Sequence, residues 1–463
     1  MQLDDRGYKK YWDEERETLD PGQREKLILE RIKHQLTYVY NELPFYRRHY
    51  DEHGFKPDDV RTLEDFTTKV PVIKKSMLVA DQREHPVFGS YSGIESTDDV
   101  ARIHGSSGTS GTPTMYSVSR NDWERSREVT ALAMWALGAR PRDIAQIGFP
   151  FSLFFGGWGP LQGLEAVGAT VFPLGNIDSE RHLELMRRVG STIFSATPSY
   201  CQHLIGVAAN LGIDLPGSTI ERLIVGGEPG GSLPGTKEVL TEGWGASVHD
   251  SGSTSEMYPF NTNVTAVPED GVLLIHDEVF SEVVDRDDAN VPLPHGERGA
   301  IVYTHLWRES QPMIRFWCGD ETYMVHDWPT SCGRTYPRLP EGIIGRLDDM
   351  LLIRGANIYP SAVETVLRRI DGLGPEFEIV VEKKGAMDEM SVRVELDEDA
   401  ARRLSGDERT TVATRAGEQL KRELNVRVPV ELLEPGTLPA TVFKARRVVD
   451  RRSQDQPVST AQT

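Results

Sequence analysis

The run Val100-Ala101-Arg102-Ile103-His104-Gly105-Ser106-Ser107-Gly108-Thr109-Ser110-Gly111-Thr112-Pro113-Thr114 reads as a short strand entering a loop of glycines and hydroxyls, with a helix expected after it. Glycine lets a backbone come close to a ligand, and the N–H groups and hydroxyls of such a loop can donate to phosphate oxygens. GxxxxGK[ST] fits no register here, so this is not a Walker loop. A plain flexible turn has the same composition. The surroundings decide between the two. From residue 101 to 240, apolar runs at 144–149, 169–173, 192–196 and 222–225 alternate with helical patterns at 120–137, 179–189 and 199–211. Strands alternating with helices predict right-handed βαβ units and a mostly parallel sheet, so the fold class is α/β.

Upstream, residues 8–90 read as helical, with an amphipathic run at 23–40 and a Pro-Phe-Tyr break at 44–46. Downstream, 271–325 is strand-rich with a turn at Pro294-His295-Gly296, which predicts a β subdomain. A boundary is expected near Gly345. Beyond it come a helix at 361–369, strands at 378–382 and 391–396, a helix at 408–424 and a strand at 430–433, a unit of domain size. The expected division is a large domain over 1–345, a small mobile α+β domain over 346–452 and a disordered polar tail over 453–463.

With 38% hydrophobic and 27% charged residues, the 463-residue chain has the composition of a soluble globular protein. Its net charge of −19 opposes a nucleic-acid partner or an anionic membrane. Residues 144–164 carry no charge, but five glycines and two prolines there fit poorly with a spanning helix. Cys201, Cys318 and Cys332 are too few and too scattered for a disulfide framework, and neither CxxC nor HExxH occurs. The first residues have no apolar signal-peptide core, so a cytoplasmic location is expected.

Three further motifs accompany the loop. Ile314-Arg315-Phe316-Trp317-Cys318-Gly319-Asp320 ends an apolar run on a carboxylate that could accept from a ribose diol. Gly345-Arg346-Leu347-Asp348-Asp349-Met350 reads alone as a hairpin with an acidic turn, and Leu438-Pro439-Ala440-Thr441-Val442-Phe443-Lys444 with the arginines after it as a solvated basic face. In this order and spacing the four resemble the adenylate-forming superfamily, and within it the phenylacetate–CoA ligase family. The resemblance runs from about Tyr11 to Arg452. It also takes in Asn41-Glu42-Leu43-Pro44-Phe45-Tyr46-Arg47, Thr197-Pro198-Ser199-Tyr200, Gly226-Gly227-Glu228-Pro229 and Cys332-Gly333-Arg334-Thr335-Tyr336-Pro337-Arg338.

The resemblance implies ATP-dependent activation of a carboxylic acid as acyl-AMP, then transfer to coenzyme A. It implies ATP and Mg²⁺ as cofactors, CoA as acceptor and an oligomer such as a dimer. Ser106, Ser107, Gly108, Thr109, Ser110, Gly111 and Thr112 would hold the β- and γ-phosphates. Gly226, Gly227 and Glu228 would line the adenine and acyl pockets, and Glu256, beside the hydroxyl of Ser255, would hold Mg²⁺. Asp320 would bind the ribose with Arg346 close by, Asp348 would be the hinge, and Lys444 would bridge carboxylate and α-phosphate. An ammonium fixed there stabilises charge that builds on the phosphoryl oxygens. The aromatic, glycine-rich run 149–159 would wall the acyl pocket, with Phe155, Trp158 and Tyr258 against a planar aromatic acid; plain core packing is its other reading.

There are three departures from the family pattern. Thr112 replaces the loop lysine, Gly252 and Ser253 replace an aromatic and a glycine at the adenine site, and Thr330 and Ser331 stand where some relatives carry extra cysteines, so no structural zinc is expected. The first two leave room for a different acceptor (a carrier protein, an amine or nitrite activation) or for a nucleotide-binding pseudo-enzyme.

Overall fold

The computed structural model describes residues 2–94, 97–106, 113–259, 263–327, 330–354, 356–384, 387–439 and 447–452. The N-terminal segment is helical because its apolar residues recur at helical spacing. Ile28, Ile32, Leu36 and Val39 line one buried face of Pro21–Glu42. Asp20 caps that helix by accepting from the Gln23 N–H at 3.1 Å, and Pro44 opens the next helix, Pro44–Glu52. Ile73–Lys74, inside the stretch expected to be helical, instead forms a short strand parallel to Phe316–Trp317.

The main sheet has eight strands. Thr170–Pro173, Ile144–Ile147, Ile193–Ala196, Arg222–Val225 and Ser247–Gly252 are parallel neighbours in that order. Asn263–Val264, Val272–Leu274 and Arg338–Leu339 continue the sheet antiparallel. Trp158–Ala166, Ser179–Val189, Pro198–Asn210 and Pro234–Trp244 are the connecting helices. Ile193–Ala196 is buried throughout, as expected of a central parallel strand covered on both faces. A second sheet orders Ile73–Lys74, Phe316–Thr322, Gly299–His305 and Val279–Val284, and Gly345–Arg346 pairs on Phe316–Thr322. This is the strand-rich region read from the sequence, except that Val272–Leu274 belongs to the main sheet. Among the described residues no helix is long and apolar enough to cross a membrane; the uncharged run 144–164 divides into a strand, a loop and the first part of a nine-residue helix.

One local expectation is wrong. The loop after Gly105 does not lead into a helix. It joins Val100–Gly105 to an antiparallel strand, Met115–Ser119, with Gly105 opposite Met115, and the helix Arg120–Ala136 starts only after that. Met-Tyr-Ser-Val-Ser favours a strand, and Ser119 then caps the helix by accepting from the Asp122 N–H at 3.0 Å.

After Gly345–Arg346 a separate apolar core forms around Leu351, Ile358, Val363, Phe377, Ile379, Val392 and Leu420. Its four-stranded sheet runs Val430–Leu433, Met387–Leu396, Leu373–Lys384, Val448–Asp450. The last strand was not expected, its three residues being too few to show a period, whereas the hairpin Leu351–Ile353 with Ala356–Ile358 lies in the run 345–360, which reads alone as a hairpin. The tail 453–463 lies outside the described residues.

Candidate functional site

The hairpin carrying the phosphate-loop motif is closed at its base by two hydrogen bonds. The Ser106 N–H donates to the Thr114 carbonyl at 3.0 Å, and the Thr114 N–H to Ser106 Oγ at 3.1 Å. Ser107, Gly108, Thr109, Ser110, Gly111 and Thr112 lie outside the described residues, as does Lys444. The strand leaving the loop brings Tyr116, whose buried hydroxyl donates to Glu256 Oε1 at 3.1 Å. Burial, with the Glu256 charge beside it, pushes this phenol well above its ordinary range, so it stays a donor.

Glu256 sits in the turn Ser255–Met257 with Ser255 at its start. Its side chain is 6% exposed, and its counter-charge is the Lys75 ammonium at 2.9 Å, whose side chain is 44% exposed. Arg308, fully buried, donates to the Glu256 carbonyl at 3.0 Å and to the Ser117 carbonyl at 3.3 Å. One guanidinium thus ties the carboxylate turn to the strand that leaves the phosphate hairpin. Among the described residues no cluster of three or more His, Cys, Asp or Glu could enclose a metal. The arrangement suits Mg²⁺ instead, which commonly takes one or two carboxylates and completes its shell with substrate phosphates and water. An exposed lysine is a counter-ion such a cation could replace.

Gly226 follows the strand Arg222–Val225, and a Cβ on it would stand 2.1 Å from the Ser251 carbonyl oxygen, so only glycine fits that crossing. Gly227 is exposed, with φ +86°. Glu228 turns back to accept from the Ser199 N–H at 2.8 Å and from its hydroxyl, in the first turn of Pro198–Asn210. The Gly252 N–H donates to Asn263 Oδ1 at 2.6 Å.

Asp320 and Arg346 face each other across an antiparallel strand pair, 4.0 Å apart at the charged groups. Arg346 also reaches Asp348 at 3.4 Å, and the Asp348 side chain is 82% exposed. Burial opposes the charge on Arg346, but Asp320, Asp348 and Asp349 together hold its pKa above the ordinary value. The motifs ending at Asp320 and beginning at Gly345 therefore meet as paired strands.

Of Phe155, Trp158 and Tyr258, the first and last are in direct ring contact. The Phe155 and Tyr258 ring centroids lie 3.8 Å apart. His104, not singled out in the sequence, stands between them and Trp158, 4.6 Å from Tyr258 and 6.4 Å from Trp158. Lys75, Tyr116 and Arg308 were also missed. Only Tyr116 left a signal, its place two residues past the loop.

This geometry can be set beside known proteins. A family profile described as "AMP-binding enzyme C-terminal domain" matches residues 355–452. A phenylacetate-coenzyme A ligase of Thermus thermophilus is 36% identical over 95% of this chain and 99% of its own length. The chain belongs to the phenylacetate–coenzyme A ligase family. An Escherichia coli member is 31% identical over 94% of this chain and 97% of its own. Members of this family are AMP-forming acid–thiol ligases, working by adenylation and then transfer to CoA, and this chain is one of them. A solved 2-hydroxyisobutyryl-CoA ligase, 40% identical, was captured in several states. In the postadenylation state with 2-HIB-AMP it matches this ligase with a TM-score of 0.92, covering 98% of this chain and 94% of its own. In the thioesterification state with CoA the TM-score is 0.72, over 96% of this chain and 93% of its own. The ligase described here has the arrangement of the first state.

Proposed function

We propose that this ligase binds ATP with the Ser106–Thr114 hairpin over the β- and γ-phosphates, Asp320 and Arg346 on the ribose, and Glu256 as the protein ligand of Mg²⁺. Gly227 and Glu228 would border the nucleotide and acyl pockets. Lys444, on the small domain that follows Arg346, would neutralise the α-phosphoryl oxygens as the acid's carboxylate attacks. Rotation about Asp348 would then bring a second face of that domain to the adenylate for attack by the CoA thiol.

The observation carrying this reading is the convergence on Glu256. A buried carboxylate holds an exchangeable ammonium and is bound through Tyr116 and Arg308 to the strand leaving the phosphate hairpin. With Gly252 where the family carries an aromatic, no ring at that position would stack on the adenine. Glu256 would be the protein group that holds Mg²⁺, and the chemistry the ion would supply there is neutralisation of phosphate charge.

The acid is read from the aromatic cluster. Phe155, Trp158 and Tyr258 suit a compact acid with an apolar body, as in the phenylacetate ligases, and Trp158 closes the pocket to long chains. ATP–pyrophosphate exchange over a panel of benzoates, phenylacetates, short branched and fatty acids, followed by mass detection of the CoA thioester, tests both halves. Preference for a long-chain acid would overturn the pocket reading, and exchange without thioester would move the acceptor from CoA to a carrier protein or an amine.

A further inference from the structure

Two glycines of the large domain stand at ordinary helix and strand positions, where the local backbone does not ask for glycine. Gly235 lies in the first turn of the buried helix Pro234–Trp244, at a place where alanine is the better helix former. Gly345 lies in the strand Gly345–Arg346, and neither residue adopts a positive φ. The reason for each comes from the small domain. A Cβ on Gly235 would stand 2.7 Å from the Thr365 carbonyl oxygen, 3.1 Å from its Cα and 3.2 Å from its Cγ2. A Cβ on Gly345 would stand 2.6 Å from Cδ1 of Tyr359, which is 7% exposed. Thr365 belongs to the helix Pro360–Leu367, and Tyr359 is its N-cap residue. The same helix is held by the Ser361 hydroxyl, which donates to the Ile344 carbonyl at 2.6 Å. Just past its end, Arg369 faces Glu238 at 3.8 Å, both side chains being about half-exposed. The large domain thus carries a seat for one helix of the small domain, bare of side chains at the two points where that domain presses closest.

We propose that Gly235 is a positioning residue for adenylation: its missing side chain lets the small domain dock in the postadenylation arrangement, and so sets the balance between the two half-reactions. The atoms opposing it include the backbone of Thr365, which no change of rotamer can move aside. A methyl at position 235 must therefore push the whole helix Pro360–Leu367 from its seat. Once the small domain has swung about Asp348, that helix leaves and position 235 faces solvent, where a helix-forming side chain is tolerated. The penalty falls on one arrangement only, which is the condition for shifting a two-state equilibrium. This inference rests on the rotation about Asp348 proposed above and adds the contact that fixes one end of it.

The test uses Gly235→Ala and the longer Gly235→Gln in separate half-reactions: ATP–pyrophosphate exchange with phenylacetate, and CoA thioester formation from synthetic phenylacetyl-adenylate. Overpacking of this kind shifts an equilibrium by about 5–100-fold. The ratio of adenylation to thioester formation should fall by about 5-fold or more in Gly235→Ala, and further in Gly235→Gln. Thioester formation itself should be unchanged or faster, which a folding defect would not give. Ser361→Ala removes the bond to Ile344 without adding bulk and should lower the ratio by about 2–10-fold. A second readout needs no acid. Cysteines placed by Glu238→Cys and Arg369→Cys are joined with a short bismaleimide, and the joined peptides are measured by mass. The rate of joining reports the docked arrangement, and it should fall when Gly235→Ala or Gly235→Gln is added. Undiminished joining in Gly235→Gln overturns the proposal, and so does an unchanged ratio or an equal loss in both half-reactions. The joined enzyme separates this inference from the reading beneath it. Locked in its seat, the small domain should permit pyrophosphate exchange and no thioester; thioester formed at the unjoined rate would remove the rotation itself.

Discussion

Asp250 sits in the strand Ser247–Gly252, just before the Glu256 turn, enclosed by Gly231, Ser232 and Gly342. Its carboxyl takes one side-chain hydrogen bond, from Ser232 Oγ at 2.9 Å, and burial pushes its pKa from 3.8 up to about 6. A carboxyl raised in the folded state binds more protons there than in the unfolded chain. Stability is therefore free of this cost below about pH 4, and the cost accumulates as pH rises to about 6. Two units at 1.36 kcal/mol each make the ionised form a burden of about 3 kcal/mol above pH 7. Asp250→Asn keeps the shape and an acceptor for Ser232 but cannot ionise. The variant should be more stable than wild type by about 1–3 kcal/mol at pH 8, and the gain should roughly halve by pH 5. Urea unfolding followed by tryptophan fluorescence, at matched ionic strength across pH 5–8, measures the difference. A variant less stable than wild type at pH 8, or a gain that does not vary with pH, refutes the argument and makes the Asp250 charge a requirement of the fold.

Lys75→Met removes the cation that competes for Glu256. A half-exposed ion pair is worth about 0.5–1 kcal/mol, so the apparent Mg²⁺ constant for adenylation should fall by about 2–5-fold; a raised Mg²⁺ requirement would make Lys75 an aid to nucleotide binding instead. Lys444→Ala should slow adenylate formation by about 10²–10³-fold, while synthetic acyl-adenylate is still consumed by CoA; equal loss in both half-reactions would remove the assignment. Asp348→Pro, which fixes φ near about −65°, should preserve pyrophosphate release and abolish thioester formation. Wild-type thioester rates in that variant would place the pivot elsewhere.

The sequence carried those parts of the fold where a local pattern states the environment. Ile28, Ile32, Leu36 and Val39 announce a helix face, and the apolar run at 193–196 announces a central strand. It misled after the glycine-rich loop, because serines and glycines give no period and the five residues of the returning strand are shorter than a helical window. At the site, the motifs name candidates such as Glu256, Asp320 and Arg346 but give no mark of the groups that the topology delivers beside them. Lys75 reaches Glu256 because Ile73–Lys74 is paired with Phe316–Trp317, a contact that spans most of the chain and has no local mark. His104 was quoted as part of a strand, and only its place among three aromatic rings distinguishes it from a core histidine.

The strand pairing of Asp320 with Arg346 has a consequence for the fate of the intermediate. An acyl-adenylate is a mixed anhydride, and one that escapes before meeting a thiol is lost to water along with the ATP spent on it. Arg346 is fixed to the large domain's sheet, while Asp348, two residues later, stands in solvent. A swing that begins at Asp348 leaves the sugar's anchorage on the stationary side. If Asp320 and Arg346 hold the ribose and Asp348 is the pivot, as proposed, retention of the intermediate would not depend on how far the small domain travels.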